Sequence, residues 1–175
     1  MLESLITSKT RIKLLMKFFI NEHTTAYLRT LATEFGESTN AIRLELNRFE
    51  EAGLLCSQSE HNKKMYRAET HHPYYQDIHK ILLKYVGIDQ MVDEVISRVG
   101  HLEKAYVTGD FAQGHPGNII DLVLVGNRFD NDFLHKLVRK AEENVSFKIR
   151  YITLEPGEEA QYIHSEATAL LVWSA

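Results

Sequence analysis

The chain has 175 residues, 44% of them hydrophobic and 25% charged, with a net charge of −4. No apolar run approaches the roughly 18–20 residues that cross a bilayer, and the N-terminus MLESLITSKTRIK lacks the segments of a secretory signal. Cys56 is the single cysteine, which excludes an intrachain disulfide, so the expected setting is a reducing cytoplasm, with length enough for two small domains.

The charge is uneven. Residues 1–70 carry ten Lys/Arg against nine Asp/Glu, and 71–175 carry ten against fifteen, so the acidic excess lies in the C-terminal part. The basic residues of the first part fall in patches: Lys9, Arg11 and Lys13; Arg43 and Arg48; Lys63, Lys64 and Arg67. Placement, more than total charge, decides whether a phosphate backbone is attracted.

In chain order, 8–21 (SKTRIKLLMKFFIN) predicts a first helix capped by Ser8, with Ile12, Leu15, Met16 and Phe19 as its buried stripe. His23, Thr24 and Thr25 break it. Tyr27–Phe35 predicts a shorter helix with Leu28, Leu31 and Ala32 inward, and Gly36 permits a sharp turn. The next helix runs from Ser38 to Ala52, with Ser38 or Thr39 as cap and Gly53 just past its end. Ile42, Leu46 and Phe49 form its apolar stripe. Asn40, Arg43, Asn47 and Arg48 fall mostly on the other face, with side chains suited to base edges and phosphates. Residues 54–60 and 63–69 read as two strands of a hairpin, whose polar turn starts at His61 and Asn62 and carries Lys63 and Lys64.

Helix, helix, Gly turn, polar-faced helix, then FEEAGLL and a basic hairpin resemble the winged helix-turn-helix of ArsR-type and MarR-type regulators. The segment AIRLELNRFEEAGLL is similar to that family's run through the recognition helix into the first wing strand. The resemblance covers roughly 8–70 and implies a dimeric binder of double-stranded operator DNA. On that reading Ser38, Thr39, Asn40, Arg43, Asn47 and Arg48 are DNA-binding residues, with Thr39, Asn40 and Arg43 nearest the bases. Lys63, Lys64 and Arg67 add backbone contacts from the wing.

Residues 71–87 predict a helix with Ile78, Ile81, Leu82 and Tyr85 as its stripe. A second follows at Asp89–Val99, with Met91, Val92, Val95 and Ile96. The pair can dimerise, bridge domains or fill a core. Beyond 101 strands and helices alternate: KAYVTGD, the loop FAQGHPGN, the near-continuous apolar run IIDLVLVG, a helix over 130–145 capped by Asp130, the strand FKIRYITLE, a short helix near 158–163, and a closing strand ALLVWSA.

The Gly109–Gly126 stretch resembles the signature of minimal nucleotidyltransferases: a strand, a Gly-Ser turn, a short loop, then a strand with two carboxylates one residue apart. Strand residues i and i+2 share a face, so such a pair can hold metal ions that bridge phosphates. Here Asp110 stands where that family has Ser, and Asp121 is the strand's single carboxylate, flanked on its face by Ile119 and Val123. Gly109, Asp110 and Asp121 are therefore read as a vestigial nucleotide site, with no catalytic residue and no enzyme activity expected.

No zinc spacing links His71, His72, His79 and Cys56, and neither a metal nor a cofactor is expected. Gly114, Pro116 and Gly117 read as a tight connection rather than a phosphate loop. The expected fold class is α+β: a winged helix domain over 1–70, a helical linker or dimerisation segment over 71–100, and a small α/β nucleotidyltransferase-like domain over 101–175. The expected function is transcription regulation through operator DNA. The expected partners are DNA, a second copy of the chain and a small-molecule or protein effector, with no membrane. The rival readings are an active nucleotidyltransferase or a toxin–antitoxin component carrying an accessory DNA-binding domain.

Overall fold

The computed structural model describes residues 2–88, 93, 101–115, 117–144, 147–163 and 168–175. The fold is α+β and divides into two compact units, one built mainly from Met1–Leu82, the other mainly from Leu83–Gln113 and Gly117–Ala175. Among the described residues, no helix is long and apolar enough to cross a membrane.

The first unit opens with a one-turn helix, α1 (Leu2–Leu5), and then α2 (Lys9–Phe19). Ser8 caps α2 by accepting from the Arg11 N–H (3.2 Å). The helix buries Leu14, Leu15, Phe18 and Phe19, whereas Ile12 and Met16, expected inside, are only half-buried. The buried face is rotated because Lys17 also turns inward, its ammonium 3.0 Å from Glu34.

Thr25–Tyr27, read from sequence as a break and a helix start, is a three-residue strand, β1, and α3 begins after it (Leu28–Phe35). β1 exists because β3 offers it a partner: Thr25 pairs with Arg67 and Tyr27 with Met65. Gly36 takes a left-handed conformation (φ 66°) that ends α3, and the chain turns at once into α4 (Thr39–Glu51). Ser38 caps α4, accepting from the Ala41 N–H at 3.2 Å. Ile42, Leu46 and Phe49 are buried as their spacing requires, and α4 packs on α2, α3 and the following strand. At its C-terminus the Leu54 N–H donates to the Phe49 carbonyl (2.9 Å), satisfying one of the helix's orphan acceptors.

β2 (Leu55–Glu60) and β3 (Lys63–Ala68) form an antiparallel hairpin joined by His61-Asn62 alone. Both turn residues have positive φ (44° and 64°), as in a type I′ connection, whose twist matches that of the strands. Lys63 and Lys64 therefore lie on β3, not in the turn. The element order α2-β1-α3-α4-β2-β3, with sheet order β1-β3-β2, is the winged-helix arrangement.

α5 (Tyr75–Val86) buries Tyr75, Leu82, Leu83 and Val86. Of the expected stripe, Leu82 is buried and Ile78 and Tyr85 are half-buried, whereas Ile81 is 51% exposed and Leu83 is buried instead. The helix expected at Asp89–Val99 lies, apart from Asp93, outside the described residues, as do Pro116 and Val145.

The second unit is a four-stranded mixed sheet of order β6-β5-β4-β7, formed by β4 (His101–Thr108), β5 (Ile119–Asn127), β6 (Lys148–Leu154) and β7 (Ala169–Ser174). The strand expected to end in Gly109-Asp110 stops at Thr108, and Gly109–Ala112 form a single helical turn, α6. The apolar run IIDLVLVG becomes the inner strand β5, antiparallel to β4 and parallel to β6. A parallel pair needs a crossover, and α7 (Asn131–Asn144) supplies it, capped by Asp130, which accepts from the Phe133 N–H at 3.0 Å. Leu134, Leu137 and Val138 are its buried side. A short helix, α8 (Glu159–Tyr162), precedes β7.

Candidate nucleic-acid interface

α4 is held from beneath by charge as well as by its apolar stripe. Glu45 points inward with a side chain only 7% exposed. Its carboxylate accepts from the Arg11 Nε (2.9 Å), from Arg48 (3.0 Å) and from the Ser8 hydroxyl (3.3 Å). Burial alone would push this carboxyl up; the Arg11 and Arg48 guanidiniums outweigh it and hold the group below its ordinary value of 4.5. The result is a clamp between α2 and α4 that fixes which face of α4 meets solvent.

That solvent face carries Thr39, Asn40, Arg43, Leu44, Asn47, Arg48 and Glu51, all exposed. Arg43 donates to the Asn40 Oδ1 (3.0 Å), so the guanidinium is steadied by its own helix. Arg48 is half-exposed and shared with Glu45. Ser38 sits at the exposed N-terminus of α4, its oxygen occupied in capping and its hydroxyl proton available for a further acceptor. The first-turn N–H groups beside it are the kind that bind phosphate oxygens. Leu44, 53% exposed amid these polar groups, escaped the sequence reading, which counted polar residues only.

The hairpin divides the basic residues that the sequence had grouped. Alternate strand residues share a face, so Lys63, Met65 and Arg67 lie on one side of β3 and Lys64, Tyr66 and Ala68 on the other. Tyr66 and Ala68 are buried. Lys64 is drawn toward that packed side, its Nζ 2.6 Å from Glu50 of α4 and 5.2 Å from the Tyr66 ring centre. The hydrogen bond to Glu50 raises the Lys64 pKa, while Lys64, with the Ser57 hydroxyl, lowers that of Glu50. Lys63 stands over the Tyr27 ring (5.7 Å), and both Lys63 and Arg67 are exposed. Among the described residues neither makes an ion pair, in contrast to Lys64 with its partner Glu50.

In the second unit, Gly109, Asp110 and Asp121 are brought together only in part. Thr108 is the register partner of Asp121, and Gly109 follows at φ 71°. A Cβ there would lie 2.7 Å from the Asp121 Oδ2, so the turn has no room for a side chain. Asp110 is exposed in the first turn of α6. Both Asp121 oxygens are taken by Arg150, which sits opposite on the parallel strand β6: Nε to Oδ1 is 2.6 Å and a terminal guanidinium nitrogen to Oδ2 is 2.8 Å. Hydrogen bonding to Asp121 raises the Arg150 pKa further. Arg150 had no sequence signal, because the pair forms only when β5 and β6 come into parallel register. Among the described residues no group of three or more His, Cys, Asp or Glu is arranged to hold a metal ion. His72 accepts from the Tyr74 N–H, His79 binds the Phe19 carbonyl (2.7 Å) and His71 lies against Glu69.

No family model matches the chain, and no curated protein matches it. Among solved structures it is similar to a Sulfolobus solfataricus protein assigned as a nucleotidyltransferase, at 24% identity and a TM-score of 0.37, over 53% of this chain and 82% of that one. It is also similar to an apo-form mutant of Lactococcus lactis ZitR, at 19% identity and a TM-score of 0.39, over 55% and 79%. The transcriptional regulator SlyA is a third such structure, at 17% identity and a TM-score of 0.32, over 54% and 75%. These are loose superpositions, and the residues of this chain carry the functional reading.

Proposed function

We propose that the chain is a DNA-binding transcriptional regulator that acts as a homodimer, with α4 as its recognition helix and the β2–β3 hairpin as its wing. The observation that carries this reading is the solvent face of α4: amides and guanidiniums on a helix clamped from behind, preceded by a Gly turn and followed by a hairpin with exposed Lys63 and Arg67. In this mechanism α4 enters the major groove N-terminus first. Thr39, Asn40 and Arg43 approach base edges, while Ser38 and the first-turn N–H groups meet phosphate. Arg48 reaches phosphate farther along, Lys63 and Arg67 add backbone contacts, and Lys64 serves mainly to tie the wing to α4.

The second unit we read as a nucleotidyltransferase-like fold without catalysis, serving as a sensing or dimerising module. The Asp121–Arg150 pair supports this, since a carboxylate whose two oxygens are both engaged by a guanidinium has little left for a divalent ion. Incubation with labelled nucleoside triphosphates and magnesium is the test. No transfer is expected, and turnover that vanishes in Asp121→Ala would establish the enzyme reading instead.

For DNA, Arg43→Ala is the direct variant. Loss of about 1–3 kcal/mol at one base position, with relaxed preference there, is expected if Arg43 reads a base. An equal loss on every sequence would reassign it to phosphate.

A further inference from the structure

At about 3.6 residues per turn, the buried residues Ile42, Glu45, Leu46 and Phe49 define the inner side of α4. The direction straight opposite is held by Asn40, Leu44 and Asn47, then Glu51; Arg43 and Arg48 lie on the two flanks. Glu51 ends the stripe with a carboxylate, which phosphates repel, so contact is confined to the turns before it. The centre of the exposed face is therefore two amides with a leucine between them. Among the described residues the Asn47 amide makes no hydrogen bond, and the Asn40 Oδ1 keeps a second lone pair beyond the Arg43 contact. Leu44 has 53% of its surface in water, on a face where nothing else is large and apolar.

In the major groove an A·T pair offers what such a stripe lacks. Adenine presents N7 and N6–H₂, which match an asparagine amide, and thymine presents the one methyl group among the four bases. From Asn40 to Asn47 the helix advances about 10 Å, close to three base-pair steps of roughly 3.4 Å. We propose that the Asn40–Leu44–Asn47 stripe reads A·T base pairs, with Leu44 packed on a thymine methyl as a specificity-determining contact. This rests on the DNA-binding reading above and adds the base class that the helix selects.

Deoxyuridine isolates the contact, because it differs from thymidine only by the methyl group and leaves pairing and phosphates in place. Full-length protein is first given a random duplex pool, and each thymine of the selected half-site is then replaced singly by deoxyuridine. At one position wild-type affinity should fall about fourfold, the worth of one buried methyl group. Leu44→Ala should bind the thymine duplex more weakly and show no further loss with deoxyuridine. Alanine is the best helix former, so the variant's circular dichroism should match wild type. Wild-type affinity unaltered by deoxyuridine at every position overturns the proposal, and so does a Leu44→Ala protein that still discriminates the two bases. Loss of self-association in place of that discrimination assigns Leu44 to a protein contact and also overturns it. A protein that selects no duplex overturns the DNA-binding reading along with this one, whereas a selected site blind to the methyl overturns this one alone.

Discussion

Glu45 shows how a single side chain sets up the proposed surface. It is a carboxylate in the buried row of α4, and its partners Arg11 and Ser8 come from the chain before and within α2. Because its pKa is lowered in the fold, its stabilising effect is complete above the ordinary value of 4.5 and is lost as pH falls through the lower folded value. Melting wild type and Glu45→Gln between pH 7 and 3 should show the variant less stable at pH 7 and less sensitive to acid. The neutral-pH cost should be roughly 1–3 kcal/mol for charged hydrogen bonds, toward the low end because Arg11 and Arg48 are partly in water. Identical pH profiles would deny the clamp. The cap was narrowed to Ser38 or Thr39, of which the structure uses Ser38, and the helical period made Ile42, Leu46 and Phe49 legible as core. Glu45 and Lys17 were not, because a buried charge depends on a distant partner that no local pattern announces. Arg150, though exposed, was hidden because its partner Asp121 lies on another strand, 29 residues away in sequence.

At the scale of elements, the wing was legible as a hairpin because polar His61-Asn62 interrupts two strand-forming runs. Its charge layout was not, since which face a lysine takes depends on register. Lys64 pairs with Ser59 across the hairpin and turns toward Glu50, whereas Lys63 and Arg67 do not share that face. Lys63→Ala should therefore reduce the salt dependence of DNA binding by about one unit of slope, and Lys64→Ala by clearly less, its charge being already compensated by Glu50. Titrations over a range of salt check this, and equal reductions would contradict the division of the wing. β1 went unread because three residues are too few to carry a period; β3 makes the strand by pairing with it. In α5 Leu82 was legible as core, but Leu83 is buried beside it and Ile81 is exposed, because the inward arc runs through Tyr75, Leu82, Leu83 and Val86.

For the whole molecule, the alternation of strands and helices after residue 101 announced a small α/β domain, and the apolar run that forms β5 was legible as one of its strands. The order β6-β5-β4-β7 was not visible, because β7, at the far end of the chain, returns to pair with β4. The functional reading makes a geometric demand on the dimer: two copies of α4 should stand about 34–36 Å apart, one turn of B-DNA. Selection of bound duplexes from a random pool by the full-length protein tests that demand and the DNA-binding claim together. The expected result is an enriched, two-fold symmetric site with half-sites about one helical turn apart and A·T pairs where α4 makes contact. Binding that enriches no sequence at any salt concentration would contradict it.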